Sequence, residues 1–315
     1  DYVNKGYDET NIENVTVAAR NPGSWANGLK IAIIDSAADQ VLGVGATTNI
    51  SVGYGITQAI STVLAGSGTT TTLDGYLKGI VTGVGTGVGL STTQIQVKVL
   101  SHVSAANTET VVDYQASGVY AFDGESTIGV HTAGSSSAAS TTTVSSETDW
   151  FDAQEIEIKN GGNIKWNQVA ERPGTSSFAA ERNSRFDEVH VVVIDEKGSI
   201  SGNAGTILEK DLNLSKAKDA EFSAGSSSYW RKFIENNSPY IFAGDQPSQP
   251  TGVGTISAFE TNKNGTINGT GFDIELDNSW DQLTQDIKFT NVGNVGYAFT
   301  QGKNYDGNED ITDDG

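Results

Sequence analysis

The chain has no cysteine and no methionine among its 315 residues, and only five prolines. Without cysteine there is no disulfide, no thiolate nucleophile and no thiolate metal ligand. The lack of methionine extends to residue 1, so the sequence reads as a processed form or, better, a piece of a longer chain. Long apolar runs are missing too. Nothing approaches the roughly 20 residues that cross a bilayer as a helix, and no basic start with an apolar segment behind it marks a signal peptide. Cations are scarce: 19 Lys and Arg stand against 39 Asp and Glu, for a net charge of −20. Such a surface has little cation density to displace phosphate counterions and is repelled by anionic headgroups, which argues against nucleic acid and against membranes as partners.

What is abundant is glycine, at 37 residues, with Ser and Thr, while the hydrophobic fraction is 36%. That composition favours strands, turns and loops around a modest core, and the length suggests two or three domains or one with large insertions. Five of the six residues from Val189 to Ile194 are β-branched and apolar, which predicts a strand buried on both faces in a sheet covered by helices. Asp195–Gly198 reads as a turn, with Gly198 free to take positive φ. Tyr229, Trp230, Phe233 and Ile234 share one face of a helix predicted over Ser226–Asn237. Serines stand at its start as cap candidates, and Ser238-Pro239 ends it. Leu29–Asp35, Gln94–Leu100, Thr206–Lys210 and Tyr240–Ala243 read as strands, Thr108–Tyr114 and Gly118–Phe122 as weaker ones, and Gln154–Lys159 with Ile164–Trp166 as a hairpin. Gly124–Ser146 reads as an exposed Ser/Thr/Gly loop. Trp25, between the turn signals Pro22-Gly23 and Asn27-Gly28, is expected to pack as a lid over the sheet end.

The fold expected is therefore α+β and β-rich, a mixed sheet covered by short helices and carrying β-rich insertions. Residues 1–40, 149–243 and 291–315 form one discontinuous domain, 41–148 an inserted β-rich outer domain, and 244–290 a small β insertion.

Motifs with chemistry are few. Gly83–Gly89 is dense in glycine but lacks the following helix and the Lys-Ser/Thr pair of a phosphate loop. His102, His131 and His190 have no second ligand at metal spacing, and His190 is expected as a hydrogen-bonded residue of a buried strand. Asp306–Asp310 resembles the start of a calcium loop, but its sixth position is Ile311 rather than Gly. The Asn-x-Ser/Thr sequons, such as Asn49 and Asn213, have no assigned role. There is no nucleophile elbow and no His-Glu-x-x-His. No catalytic, cofactor-binding or metal residue is assigned, and an enzyme is not expected.

Three segments carry a family signal. The longest runs from Phe186-Asp-Glu-Val-His-Val-Val-Val-Ile-Asp-Glu-Lys-Gly through Gly205-Thr-Ile-Leu-Glu-Lys to Tyr229-Trp-Arg-Lys-Phe-Ile-Glu-Asn-Asn-Ser. The second is Ala19-Arg-Asn-Pro-Gly-Ser-Trp-Ala-Asn-Gly-Leu-Lys-Ile, and the third is Ala298-Phe-Thr-Gln-Gly-Lys-Asn-Tyr-Asp-Gly307. Together they resemble the contractile tail sheath proteins of large myophages. In the third segment Gln301 replaces the first of the family's paired glycines, and Tyr305 is an added residue. The matches cover residues 15–35, 186–243 and 296–307, in the family's order. The resemblance implies a structural protein of the virion, stacked as hexameric rings around the tail tube, contracting on a baseplate trigger, and with no cofactor. It also implies that the family's N-terminal arm and C-terminal domain lie outside this sequence, so that this piece alone would not form sheath. An alternative from composition is an acidic β-rich adhesion or carbohydrate-binding module, with Tyr54, Tyr76, Tyr114, Tyr120 and Trp280 as stacking platforms.

Overall fold

The computed structural model describes residues 15–21, 23–66, 69–85, 90–116, 118–132, 137–159, 161–247, 280–286, 292–300 and 302–304. In chain order the first strands are β1 (Val17–Ala19), β2 (Leu29–Asp35), β3 (Gln40–Val44), β4 (Gly55–Gly66), β5 (Thr69–Val84), β6 (Gln94–Val103) and β7 (Glu109–Val111). They are followed by β8 (Thr127–His131), β9 (Ser140–Asp149), β10 (Glu155–Ile156) and β11 (Ile164–Lys165). The last four are β12 (Glu188–Asp195), β13 (Thr206–Ser215), β14 (Ile241–Ala243) and β15 (Asn294–Ala298). Among the described residues there are two α-helices, α1 (Ser177–Ala180) and α2 (Trp230–Asn237). The chain is β-rich, as its composition predicts.

The apolar run at Val189–Ile194 lies in β12, inside a four-stranded sheet of order β13-β12-β2-β15. Both faces of that strand are buried. On one face Ile31, Ile33, Val191 and Val193 pack against Trp230, Ile234 and Ile241, with Trp25 lying partly buried at the margin as a lid should. On the other, Ala32, Ile34, Val192 and Ile194 meet Trp150, Phe151, Ile156 and Trp166. The pairings are all antiparallel, so the sheet is not mixed. A continuous apolar run signals burial on two faces, which parallel sheets usually provide. Here one helix covers one face, and the β10–β11 hairpin with short 3-10 turns covers the other, so antiparallel strands acquire the same pattern.

Helical cover is thinner than expected. Helix α2 begins at Trp230, because the serines before it are held by strand-like bonds: Ser228 N–H donates to Ala220 O, and Ser215 N–H to Ser228 O. Its N-cap is Tyr229, with no side-chain cap, so the serine caps are not used. Ser176 does cap the four-residue α1, accepting from Ala179 N–H.

The strands between Gln40 and Asp149 make a closed barrel. The order β3-β9-β8-β4-β5-β6 returns to β3 through a β3–β6 pairing, and β7 adds to β6 outside the ring. Closure pairs the edges that six strands would otherwise leave open. Leu42, Ile56, Val97, Val99, Phe122, Ile128 and Val144 fill its core. The stretch Gly124–Ser146, expected as a loop, holds β8 and most of β9. Its strands are polar because most of the β9 side chains face solvent, and Val144 alone in β9 reaches the core. Conversely, Gly118–Phe122 is not a strand. The Gln40 side chain bonds both the N–H and the C=O of Phe122, at 2.7 and 2.9 Å, in place of a strand neighbour. The weak strand expected over Thr108–Tyr114 shrinks to β7, and that over Gln154–Lys159 to β10. Most of 244–290, and all of Asp306–Asp310, lies outside the described residues. Among the described residues, no helix is long and apolar enough to cross a membrane.

These cores set the stability expected of single substitutions. Ile33→Ala and Phe122→Ala should each cost about 2–5 kcal/mol in urea titrations. Thr143→Ala, on the exposed face of β9, should stay within about 0.5 kcal/mol of wild type.

Candidate functional site at the seam between sheet and barrel

The chain leaves the sheet at Asp35 and returns at Asp149, and the two crossings lie side by side. Gln40 pairs with Asp149, and Trp150 N–H donates to Asp39 O at 2.9 Å. The outgoing crossing, Ser36 to Asp39, is buried throughout.

A polar network fixes this seam. Lys98, on the outer face of β6, donates to Asp39 Oδ1 at 3.0 Å and to Ser36 Oγ at 2.6 Å, while Val99 N–H donates to Asp39 Oδ2. Burial pulls the Lys98 ammonium below its ordinary pKa, and the Asp39 carboxylate opposes that pull. Arg185 donates to Leu100 O at 3.0 Å, to Val112 O at 2.8 Å and to Asp113. Between these cations lies the Phe186 ring, 4.3 Å from Lys98 Nζ and 4.3 Å from the Arg185 guanidinium. Cation–π attraction strengthens where water is excluded, as it is here. Phe186 reaches this position with φ of 60°, and its N–H donates to Thr175 Oγ1. Its carbonyl accepts from Lys216, whose Nζ sits 2.9 Å from Asp35 Oδ2. Asp35 also takes the N–H groups of Val292 and Gly293. Arg172 pairs with Asp149 and lies over the Tyr114 ring. Tyr114 donates to Asp149, and burial, then the charge of Asp149, pushes its pKa well up.

This arrangement locks two modules together; it presents no nucleophile with a base beside it. Among the described residues, no group of three His, Asp or Glu could hold a metal ion. Clefts of about 270 Å³, between Glu157 and Gly296, and about 450 Å³, between Ser61 and Glu147, are lined mainly by polar groups.

The histidines hold structure. His102 Nε2 bonds Asp74 O at 2.7 Å, and His131 Nε2 lies 3.0 Å from Thr57 Oγ1. His190 sits in the buried strand, as expected. Its Nε2–H donates to Glu171 O, and its Nδ1 accepts from Asn213 N–H, so the ring is neutral. Asn213, with φ of 54°, belongs to a bulge in β13 opposite His190. Burial lowers the His190 pKa against its bond to Glu171. Trp280 is only 3% exposed and stands edge-on to Trp230, so it offers no stacking platform. Tyr54, Tyr114 and Tyr120 lie half-buried on the barrel core, and Tyr76 is half-buried on β5. Gly83 and Val84 continue β5, and residues 86–89 lie outside the described ones.

Sequence reasoning missed Asp39, Lys98, Arg172, Arg185 and Phe186. A signal was present: Lys78 and Lys98 are the sole cations between residues 36 and 148. In a stretch so poor in charge, each has a partner to meet, and both are buried; Lys78 pairs with Glu109 at 3.2 Å.

Arg185→Ala strands the carbonyl of Val112, at about 1–3 kcal/mol for an unsatisfied group, and leaves Leu100 O only the N–H of Val112 at 3.3 Å. It should split one calorimetric unfolding transition into two, barrel and sheet melting apart. The depressed His190 pKa means that the unfolded chain binds a proton that the folded one refuses. The stability from His190 is therefore complete above about pH 6.5 and is lost as pH falls below it. Relative to His190→Gln, wild type should lose at most about 1.4 kcal/mol per pH unit below that point, read from paired urea titrations. No protein-family model, curated protein or solved structure matches the chain.

Proposed function

We propose that the chain supplies the middle and outer portions of a structural subunit of a contractile phage tail sheath. Subunits stack as hexameric rings in a helical assembly around the tail tube, and contract to drive the tube through the host envelope for genome ejection. The partners are then other sheath subunits, the tail tube protein, and the baseplate and tail terminator proteins. The place is the virion, after assembly in the bacterial host cytoplasm.

What supports this reading is where the three resembling segments lie. They are far apart in sequence and meet around one sheet. Strand β2, from the early segment, is flanked by β12, from the middle one, and by β15, whose end runs into the late one, and β1 pairs with β14. The loop ends meet as well. Gly302 N–H donates to Asn27 Oδ1 and Asn27 Nδ2 donates to Gly302 O, both at 2.8 Å, while Ser24 N–H donates to Asn304 Oδ1. A Cβ on residue 302 would lie 2.4 Å from Gly23 O, so the backbones meet only if this position is glycine. The motif positions are thus tied by backbone contact, which gives a physical reason for their occurring together. The barrel is inserted between β2 and the rest of the sheet, on a seam bridged by the Lys98–Asp39 and Arg185–Val112 bonds.

The test is negative-stain electron microscopy of the natural full-length chain purified at high concentration. Striated tubes of six-fold cross-section are expected. Monodisperse monomers across a range of salt would overturn the reading, and reproducible binding on a glycan array would point to the adhesion module instead.

A further inference from the structure

The seam leaves one cluster of charge unexplained, on the edge strand β13. Asp211 stands opposite Val191 and Glu209 opposite Val193, so both carboxyls point to the face that α2 covers. Asp211 is 5% exposed, and its Oδ2 is buried with no hydrogen-bond donor in reach. Two ionised carboxylates side by side without a donor would be costly; one proton between them supplies the missing hydrogen bond. Burial first, and the Glu209 carboxylate second, raise Asp211 to a pKa of about 8.

The pair is tied to the layer above it through Ser238. That hydroxyl donates to Glu209 Oε2 at 2.8 Å and accepts from Ile241 N–H at 3.1 Å, while Ser238 N–H closes α2 on Ile234 O. Ser238 thus joins the end of α2, the start of β14 and the edge of the sheet.

We propose that Asp211 and Glu209 share one proton and act as a latch holding the α2–β14 layer on the sheet, and that loss of this proton loosens that layer. No cation on the neighbouring elements takes over its role. Arg231 of α2 is engaged by Gly244 O, Asp245 and Asp281. Arg20 caps Ile234 O and Glu235 O and lies over Phe242. Lys232 is exposed, Glu235 is half-buried, and Lys210 reaches Val169 O. From β12 only Val191 and Val193 face the pair, since His190 alternates to the opposite face. Because β14 pairs with β1, loosening would pass to the segment at Val17–Ala19.

Hydrogen exchange read by mass spectrometry tests this, with protection corrected for intrinsic exchange at about pH 6.5 and about pH 9. A group that gains its proton on closing costs about tenfold per pH unit until it ionises in the closed state. Peptides over 234–243 should therefore lose about thirty-fold protection in wild type, while barrel peptides over 94–103 hold. Asp211→Asn, whose amide donates to Glu209 at any pH, should abolish the difference, and so should Glu209→Gln. Equal protection at the two pH values in wild type would overturn the proposal. So would a loss spread equally over the barrel, or a loss that persists in either variant. If one variant fails to fold, the wild-type comparison and the other variant still decide.

Discussion

The rest of the structure depends on burying lysine ammonium groups against single carboxylates at the joint between sheet and barrel. Lys98 meets Asp39 and Lys216 meets Asp35, and all four residues are almost fully buried. Such pairs are poor sources of net stability, because desolvating two charges costs about as much as their attraction returns. Their effect is on which arrangement is tolerated. Removing one partner leaves an uncompensated buried charge, at about 3–5 kcal/mol. Asp35 and Asp39 bracket the outgoing crossing: Lys216 fixes its start to the sheet, and Lys98 ties its end to the barrel, so a shift of the barrel against the sheet would have to break the Lys98–Asp39 pair. An apolar joint of equal area would tolerate sliding. The Phe186 ring extends the constraint, since it carries the second residue before β12 to the barrel wall between two cations.

This use of cations bears on the surface. Lys78, Lys98, Lys216 and Arg185 are taken up inside the molecule, within a chain that holds only 19 Lys and Arg. Each is paired with a carboxylate, so these pairs are neutral and the net charge of −20 is carried by the remaining groups. Copies of this chain repel over about a Debye length, roughly 8–10 Å at ordinary salt. Any assembly of identical chains must be carried by close contacts that outweigh that repulsion, or by partners that present positive charge.

The strands legible in the sequence are those whose pattern comes from one local cause. Val189–Ile194 and Leu29–Asp35 are mostly apolar because both faces are covered, and either strand type would read that way; the antiparallel pairing is set by topology, which periodicity does not carry. The barrel was half legible. Gln94–Val103 shows because its inward residues are Ile95, Val97 and Val99, whereas β8 and β9 hide because most β9 side chains face solvent. Phe122 was misread because a glutamine 82 positions earlier supplies its strand-like bonds. The seam was legible only at Lys98, one of two cations in a long stretch, since Asp39, Arg172 and Arg185 look like any other surface charge until the crossings bring them together.

Two titrating groups on opposite faces of one sheet have opposite signs, and their combination shapes the response to pH. His190 releases its proton on folding, so its share of stability falls as pH drops below about 6.5. Asp211 gains a proton on folding, so its share is complete in acid and is lost as pH rises towards about 8. Below about 6.5, down to the ordinary carboxylate range near 4, the two groups act in opposite directions, one proton released against one taken up. Between about 6.5 and 8 only Asp211 acts, and stability declines; above 8 neither group contributes a slope. The net effect is a sheet whose two groups oppose one another in mild acid, while mild base acts through Asp211 alone. Asp211 points to the face that carries α2 and His190 to the other, so the two responses act on different layers of the sheet.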